Sequence, residues 1–221
     1  MSIFALKLIA CFTMVLDHIK YAIPETNGFI TTYLGRLSYP LFAFLITEGY
    51  VHTKDLKRYY KRLLIFAIIS QLPFMLFRTL VGEYLMLNIL FTLLLGLISI
   101  TIFDKVKKKW ISIPLCLLVI FLGKLLNVDY DWYGVTTVFV IYLFRQRKIL
   151  QFIGFSLLTF IHYYTKGLFY NVSTHILLSY SFTISSIFLI WLYNGKLGKK
   201  VKYFYYWFYP IHMLIVYFLK F

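Results

Sequence analysis

Long apolar runs alternate with short clusters of lysine and arginine along this chain, and no other feature limits its fold so strongly. The runs occupy 3–23, 33–51, 60–80, 84–103, 111–127, 132–147, 149–166, 174–193 and 203–221. Each is close to the ~20 residues that carry a helix across ~30 Å of hydrocarbon at ~1.5 Å per residue. The sixth and seventh are short and nearly continuous. Composition points the same way: 61% of the 221 residues are hydrophobic and only 14% charged, with a mean hydropathy of +0.78. Soluble domains have roughly half their residues apolar and about a quarter charged. The expected fold is all-α, a polytopic transmembrane bundle of about nine helices in a cell membrane. No Gly/Ser/Pro linker, internal repeat or low-complexity tract divides the chain, so 1–221 reads as one domain. The first run lacks the basic leader and small-residue cleavage site of a signal peptide and is expected to stay as a helix.

A net charge of +15 would suggest a nucleic-acid partner in a soluble protein, but the distribution of the charge argues against one. Lys54, Lys57, Arg58, Lys61 and Arg62 follow the second run, and Lys105, Lys107, Lys108 and Lys109 follow the fourth. Arg145, Arg147 and Lys148 follow the sixth, and Lys196, Lys199, Lys200 and Lys202 the eighth. The alternate connections hold few: Arg78, Lys124 and Lys166. Short basic loops stay in the cytoplasm, which puts the N-terminus inside and, with nine runs, the C-terminus outside. These basic runs set topology, and together they make a positive face suited to anionic lipid headgroups or a phosphorylated substrate. Cys11 and Cys116 lie within apolar runs as small hydrophobes and offer neither a disulfide framework nor metal-ligand spacing.

Against this background the ionisable residues inside the runs stand out, because each costs about 2.5–3.5 kcal/mol or more at membrane depth and by default marks function. Asp17 and His18 adjoin in FTMVLDHIKYAI. Lys7 precedes His18 by eleven residues, which at ~100° per residue leaves the two about 20° apart around the helix and about 16 Å apart along it. Arg36 falls at the depth of Asp17, where it would pair with that carboxylate and leave His18 a neutral base. Pro40, four residues on, is expected to kink its helix. Glu48 and His52 are spaced i, i+4 and share a face. Gln71, Asn88, Asp129, Asp131 before Trp132-Tyr133-Gly134, His162 and His175 are further polar positions, and in the last run Tyr205, Tyr209 and His212 share a face. Each has a structural reading too. Lys7 would snorkel to the interface, Glu48–His52 would fix helix register, and a buried histidine commonly packs helices through hydrogen bonds. The Tyr and Trp residues near run ends form an interfacial belt. P-loop, G-x-S-x-G, H-E-x-x-H and dinucleotide-glycine patterns are absent from the sequence.

The stretches LKLIACFTMVLDHI, GRLSYPLFAFLITEGYVHTKDLKRYYKRLLIFAIISQLPF, NILFTLLLGL, DYDWYGV and NGKLGKKVKYFYYWFYPIHMLI together resemble the TraX family, whose namesake N-acetylates the terminal amine of pilin. More distantly, Lys7 followed by His18, then FAFLITEG and KRYYKRLLIF, is similar to the layout of integral membrane acyltransferases. That resemblance implies transfer of an acyl group from cytoplasmic acyl-CoA to an acceptor beyond the membrane, with His18 as the catalytic residue. It also implies that Lys7, Arg58 and Arg62, with Lys54 of the same loop, face the phosphates of CoA. Lys stands at position 7 where the wider group often has Arg, which weakens a bidentate role there. Chemically, His18 would take the proton of the attacking amine, Arg36 or a tyrosine hydroxyl would stabilise the oxyanion, and Asp17 would hold Arg36 or the amine. Glu48, His52, Asp131, Tyr133, Tyr209 and His212 are the expected acceptor-binding residues. No metal or permanently bound cofactor is expected; acetyl-CoA enters as the acyl donor. The expected acceptor is an exported peptide, pilin or glycan.

Two other classes compete. A proton-coupled secondary transporter would also use intramembrane Asp, Glu and His, although the missing inverted repeat counts against it. A noncatalytic protein of pilus or secretion assembly is the third reading.

Overall fold

Helix starts in this chain are written in its capping residues. Ser2, Asp55, Asn88 and Ser173 each accept a hydrogen bond from a backbone N–H in the first turn that follows, satisfying donors that a helix cannot pair internally. The computed structural model describes residues 1–82, 85–167, 173–199, 201 and 203–221. Among these the helices are α1 Ile3–Ala22, α2 Ser38–His52, α3 Leu56–Thr79, α4 Ile89–Lys105, α5 Lys109–Leu125, α6 Asp131–Leu143, α7 Lys148–Thr165, α8 Thr174–Trp191 and α9 Phe204–Phe218. No strand occurs among the described residues beyond one isolated parallel bridge, Leu87 to Val128. Lys200, Lys202 and Tyr84, the first residue of the fourth apolar run, lie outside the described residues.

Each of the nine runs contains one helix, and the differences are local. The second run does not form one continuous helix. A five-residue π-helical turn, Ile30–Leu34, leads into a turn at Arg36–Leu37, and α2 proper starts at Ser38. Pro40 is therefore the third residue of α2, where its missing N–H is one that no helix pairs, and the kink expected of it is replaced by the break before Ser38. The fourth run starts its helix five residues late because Asn88 caps it. The Asn88 side-chain amide also donates to the Ala67 carbonyl (2.7 Å) and to Gln71 Oε1 (2.9 Å), locking α3 to α4.

Interhelical hydrogen bonds sort the helix ends into two groups. The hydroxyls of Tyr50 and Tyr142 both donate to Asp104 (2.6 and 3.2 Å), and the amide of Ile3 donates to the Lys196 carbonyl (2.9 Å). These contacts join the start of α1 to the α8–α9 connection, and the ends of α2, α4 and α6 to one another. The described residues of the four basic clusters lie at this end, hereafter the basic end. The opposite end carries His18, Arg36, Arg78 and Asp129. Packing runs α1 on α2 and α9, α3 on α4 and α9, and α4 on α5 and α6. A Cβ at Gly96 would lie 2.6 Å from Val138 Cβ, so α4 and α6 approach as closely as they do only over a glycine.

Around a hydrophobic core, large apolar side chains also cover much of the surface. Leu72, Leu117, Phe121, Leu157 and Phe160 are exposed, whereas Ser70, Thr92, Ser99, Thr137, Gln151 and Thr159 are buried. Two helices, Leu56–Thr79 and Thr174–Trp191, are long and apolar enough to cross a membrane.

Candidate functional site

Adjacent residues on a helix point about 100° apart, so Asp17 and His18 at the end of α1 meet different neighbours. Asp17 faces the turn before α2. A Cβ on Gly35 would sit 2.7 Å from Asp17 Cβ, so only glycine lets the two segments close here. The hydrogen-bonded partner of Asp17 is Lys20, three residues along α1 (Nζ to Oδ1 2.7 Å, both side chains largely buried). Arg36, the partner expected for Asp17, acts on it through its charge, and its Nε has no hydrogen-bond partner among the described residues. Lys20 wins the contact because an i, i+3 partner on the same helix is held at contact distance by the backbone.

His18 turns toward α3 and α9. Its ring meets Phe77 edge-on (centroids 4.8 Å), and its Nδ1 lies 2.9 Å from Nε2 of His212. Nδ1 of His212 is in turn 3.0 Å from the Phe208 carbonyl, against whose side chain the His212 ring stacks (5.1 Å, 11°). A carbonyl only accepts, so His212 Nδ1 carries a proton and donates it. His212 Nε2 is then an acceptor, His18 Nδ1 must donate to it, and the lone pair of neutral His18 is left on Nε2. Two helices and one carbonyl thereby fix the tautomer of His18.

Asp17, His18 and Phe77 line a cavity of about 210 Å³ that also includes Arg36, Tyr39, Arg78, Asp129, Tyr130 and Tyr209, with His212 behind His18. The site thus gathers one imidazole in a defined tautomer, two carboxylates and two guanidiniums. Burial pushes the Asp129 carboxyl, in the α5–α6 connection, up to about 6, against the opposing pull of the Arg78 charge. The Tyr209 side chain is buried and lines the same cavity.

Of the residues expected to act on or bind the acceptor, Asp17, His18, Arg36, Tyr209 and His212 come together here. The others do not. Asp131 pairs with Lys166 (3.1 Å), and it is Asp129, two residues earlier, that reaches the cavity. Tyr133 stacks on His162 (centroids 4.1 Å) in a neighbouring cavity. Glu48 and His52 bond to each other (3.2 Å) at the basic end, beside Arg145 and Lys148. Lys7 lies over the Tyr205 ring (4.8 Å) and Arg62 over Tyr59 (5.8 Å), while Arg58 contacts Asp55 (3.3 Å) and Lys54 is exposed. Arg78, Tyr39 and Tyr130 complete the cavity, and nothing in the sequence marks either tyrosine. The one signal for Arg78 was its position as a rare cation at the sparsely charged end.

An all-helical chain carrying a polar cavity with a fixed imidazole is the class that this geometry defines. The chain belongs to the TraX family, matching the model for TraX protein over residues 2–220. It is also similar to the "Probable fimbrial assembly protein FimC, serogroup H1" of Dichelobacter nodosus, at 28% identity with 97% of this chain and 94% of that protein covered. No solved structure matches it.

Proposed function

We propose that this protein is a multi-pass membrane acyltransferase that moves an acyl group, acetyl in the simplest case, from cytoplasmic acyl-CoA to an amine or hydroxyl acceptor on the other side. The observation that carries the reading is the Phe208–His212–His18 chain of hydrogen bonds, which leaves a base lone pair on His18 Nε2. A general base needs its tautomer held in that way. In the reaction the acceptor nitrogen or oxygen attacks the thioester carbonyl carbon, and its proton passes to His18 Nε2. Arg36 and Arg78 stabilise the developing oxyanion. Collapse then breaks the C–S bond, and the imidazolium returns the proton to the departing thiolate.

The membrane setting is supported by the exposed apolar faces, the buried hydroxyls and the two helices long enough to span. The gathering of basic clusters at one end supports a cytoplasmic N-terminus. Lys7 and Arg62 meet the aromatic start of α9 at that end, where CoA phosphates would arrive. The name of the Dichelobacter relative adds a second reading, a role in fimbrial assembly, and the two are compatible if the acceptor is an exported fimbrial subunit.

The test is transfer from acetyl-CoA to a peptide amine or a sugar by purified protein, with His18→Ala at matched folded concentration. Positioned proton transfer contributes about 10²–10⁴-fold, so the variant should fold, bind acetyl-CoA and lose that factor. Turnover within a fewfold of wild type would return His18 to the role of an ordinary packing residue. Substrate-driven proton uptake in vesicles without acyl transfer would favour a transporter, and neither activity would leave the assembly role alone.

A further inference from the structure

A second cavity, of about 220 Å³, lies against the first and shares Arg36, Tyr39 and Tyr130 with it. We infer that this chamber is the acceptor pocket and that it takes a neutral ring bearing hydroxyl groups, a sugar residue, presenting one hydroxyl through the shared wall to His18; this rests on the acyl-transfer reading.

Three polar atoms around the chamber lack hydrogen-bond partners among the described residues: Arg36 Nε, His162 Nδ1 and Ser179 Oγ. Ser179 is only 4% exposed, and its neighbour on the next helical turn, Thr183, is already committed to the Ser179 carbonyl (2.8 Å). An unmade hydrogen bond at a buried group costs about 1–3 kcal/mol. A hydrocarbon occupant would leave all three unmet, whereas a hydroxyl both donates and accepts. Arg36 Nε can only donate, so the occupant must offer it an oxygen. The remaining walls are ring faces: Tyr39 stacks on Tyr130 (centroids 4.3 Å, 14°) and Tyr133 on His162 (4.1 Å, 18°). Flat faces of this kind pack against the C–H face of a saturated ring. No carboxylate lines the chamber among the described residues, and the Arg36 guanidinium repels a cation, so an ammonium-bearing side chain has nothing to pair with there. Unmet hydrogen-bonding atoms and ring faces, with no partner for a cation, together describe a sugar better than the first side chain of a peptide.

The experiment uses the full-length protein in detergent. Methyl α-glucoside, N-acetylglucosamine and a short peptide with a free amine are titrated by ligand-observed NMR without acyl donor, so binding is read apart from chemistry. At least one sugar should bind wild type, and Ser179→Ala and His162→Gln should each weaken it about tenfold, the scale of one lost buried hydrogen bond. Ser179→Leu, which fills the chamber, should abolish binding with the melting temperature as the check on folding. Failure of both sugars to bind wild type overturns the proposal, as does sugar binding unaffected by these variants. Binding of the peptide alone, with the same sensitivity, also overturns it and assigns the chamber to a peptide. Acetyl-CoA turnover by wild type is scored separately. Sugar binding with the expected sensitivity but no turnover would retain the pocket and sink the transferase reading.

Discussion

At the basic end, Glu48 and His52 stand four residues apart on α2 and satisfy each other (3.2 Å); at the far end, Asp17 and His18 are adjacent on α1 and find different partners. Both are a carboxylate and an imidazole on one helix. The i, i+4 spacing stacks two side chains on one face, closing the pair on itself with His52 half in solvent (47% for its side chain, 13% for Glu48). Adjacency turns the two side chains about 100° apart. Asp17 then draws in Lys20 and Gly35, and His18 draws in His212 and Phe77. A self-satisfied pair needs nothing from the rest of the chain, whereas a divergent pair organises its surroundings into a cavity.

The sharpest way to break that contrast is to cut the chain of hydrogen bonds behind His18. His212→Phe keeps a ring stacked on Phe208 but removes the acceptor for His18 Nδ1. Acyl transfer should fall about 10–100-fold, below the full range of a lost general base, and the pH–rate profile should change shape. His212→Gln, whose Oε1 can still accept, should recover much of the loss. Equal rates in the Phe and Gln variants would reduce His212 to packing.

Asp129 offers a smaller effect with a definite sign. Its folded carboxyl titrates near 6, above the ordinary ~3.9, so the folded state favours the protonated form. The stability this brings is complete below pH ~4 and is lost as pH rises through about 6. Asp129→Asn should therefore melt above wild type at pH 7.5 and with it at pH 3.5. Equal melting differences at both values would show that the carboxyl does not titrate where the cavity places it.

At the basic end the expected effect is smallest. A partly exposed i, i+4 pair contributes about 0.3–0.5 kcal/mol, and a double-mutant cycle of Glu48→Gln and His52→Gln should return a coupling of that order in melting data. Loss of acyl transfer in a fully stable Glu48→Gln protein would instead move this end of the molecule into the reaction and erase the contrast.

Much of this was legible in the primary structure. Helix number and class follow from the apolar runs, because a run of some twenty apolar residues has few ways to satisfy its backbone other than as a helix. Ser2, Asp55, Asn88 and Ser173 mark starts by local chemistry alone, and Asn88 sets the start of the fourth helix five residues into its apolar run. Within the site, Asp17, His18 and Arg36 stand out because charge among apolar residues is costly wherever it lies, and His212 because it shares a face with Tyr209.

What only the tertiary structure decided is who meets whom. That His18 hydrogen-bonds to His212, 194 positions away, depends on α9 packing against both α1 and α3, and no local spacing encodes it. The choice of Asp129 over Asp131 turns on the geometry of the α5–α6 connection, where Asn127, Tyr130 and Asp131 all take positive φ and send near neighbours in different directions. Arg78 joins the cavity because α3 is long enough to bring its last turn level with the end of α1. Sequence determines which side chains are too costly to be idle, since burial energy belongs to each residue; the fold decides what they do, since hydrogen bonds and cavities belong to pairs that only packing brings together.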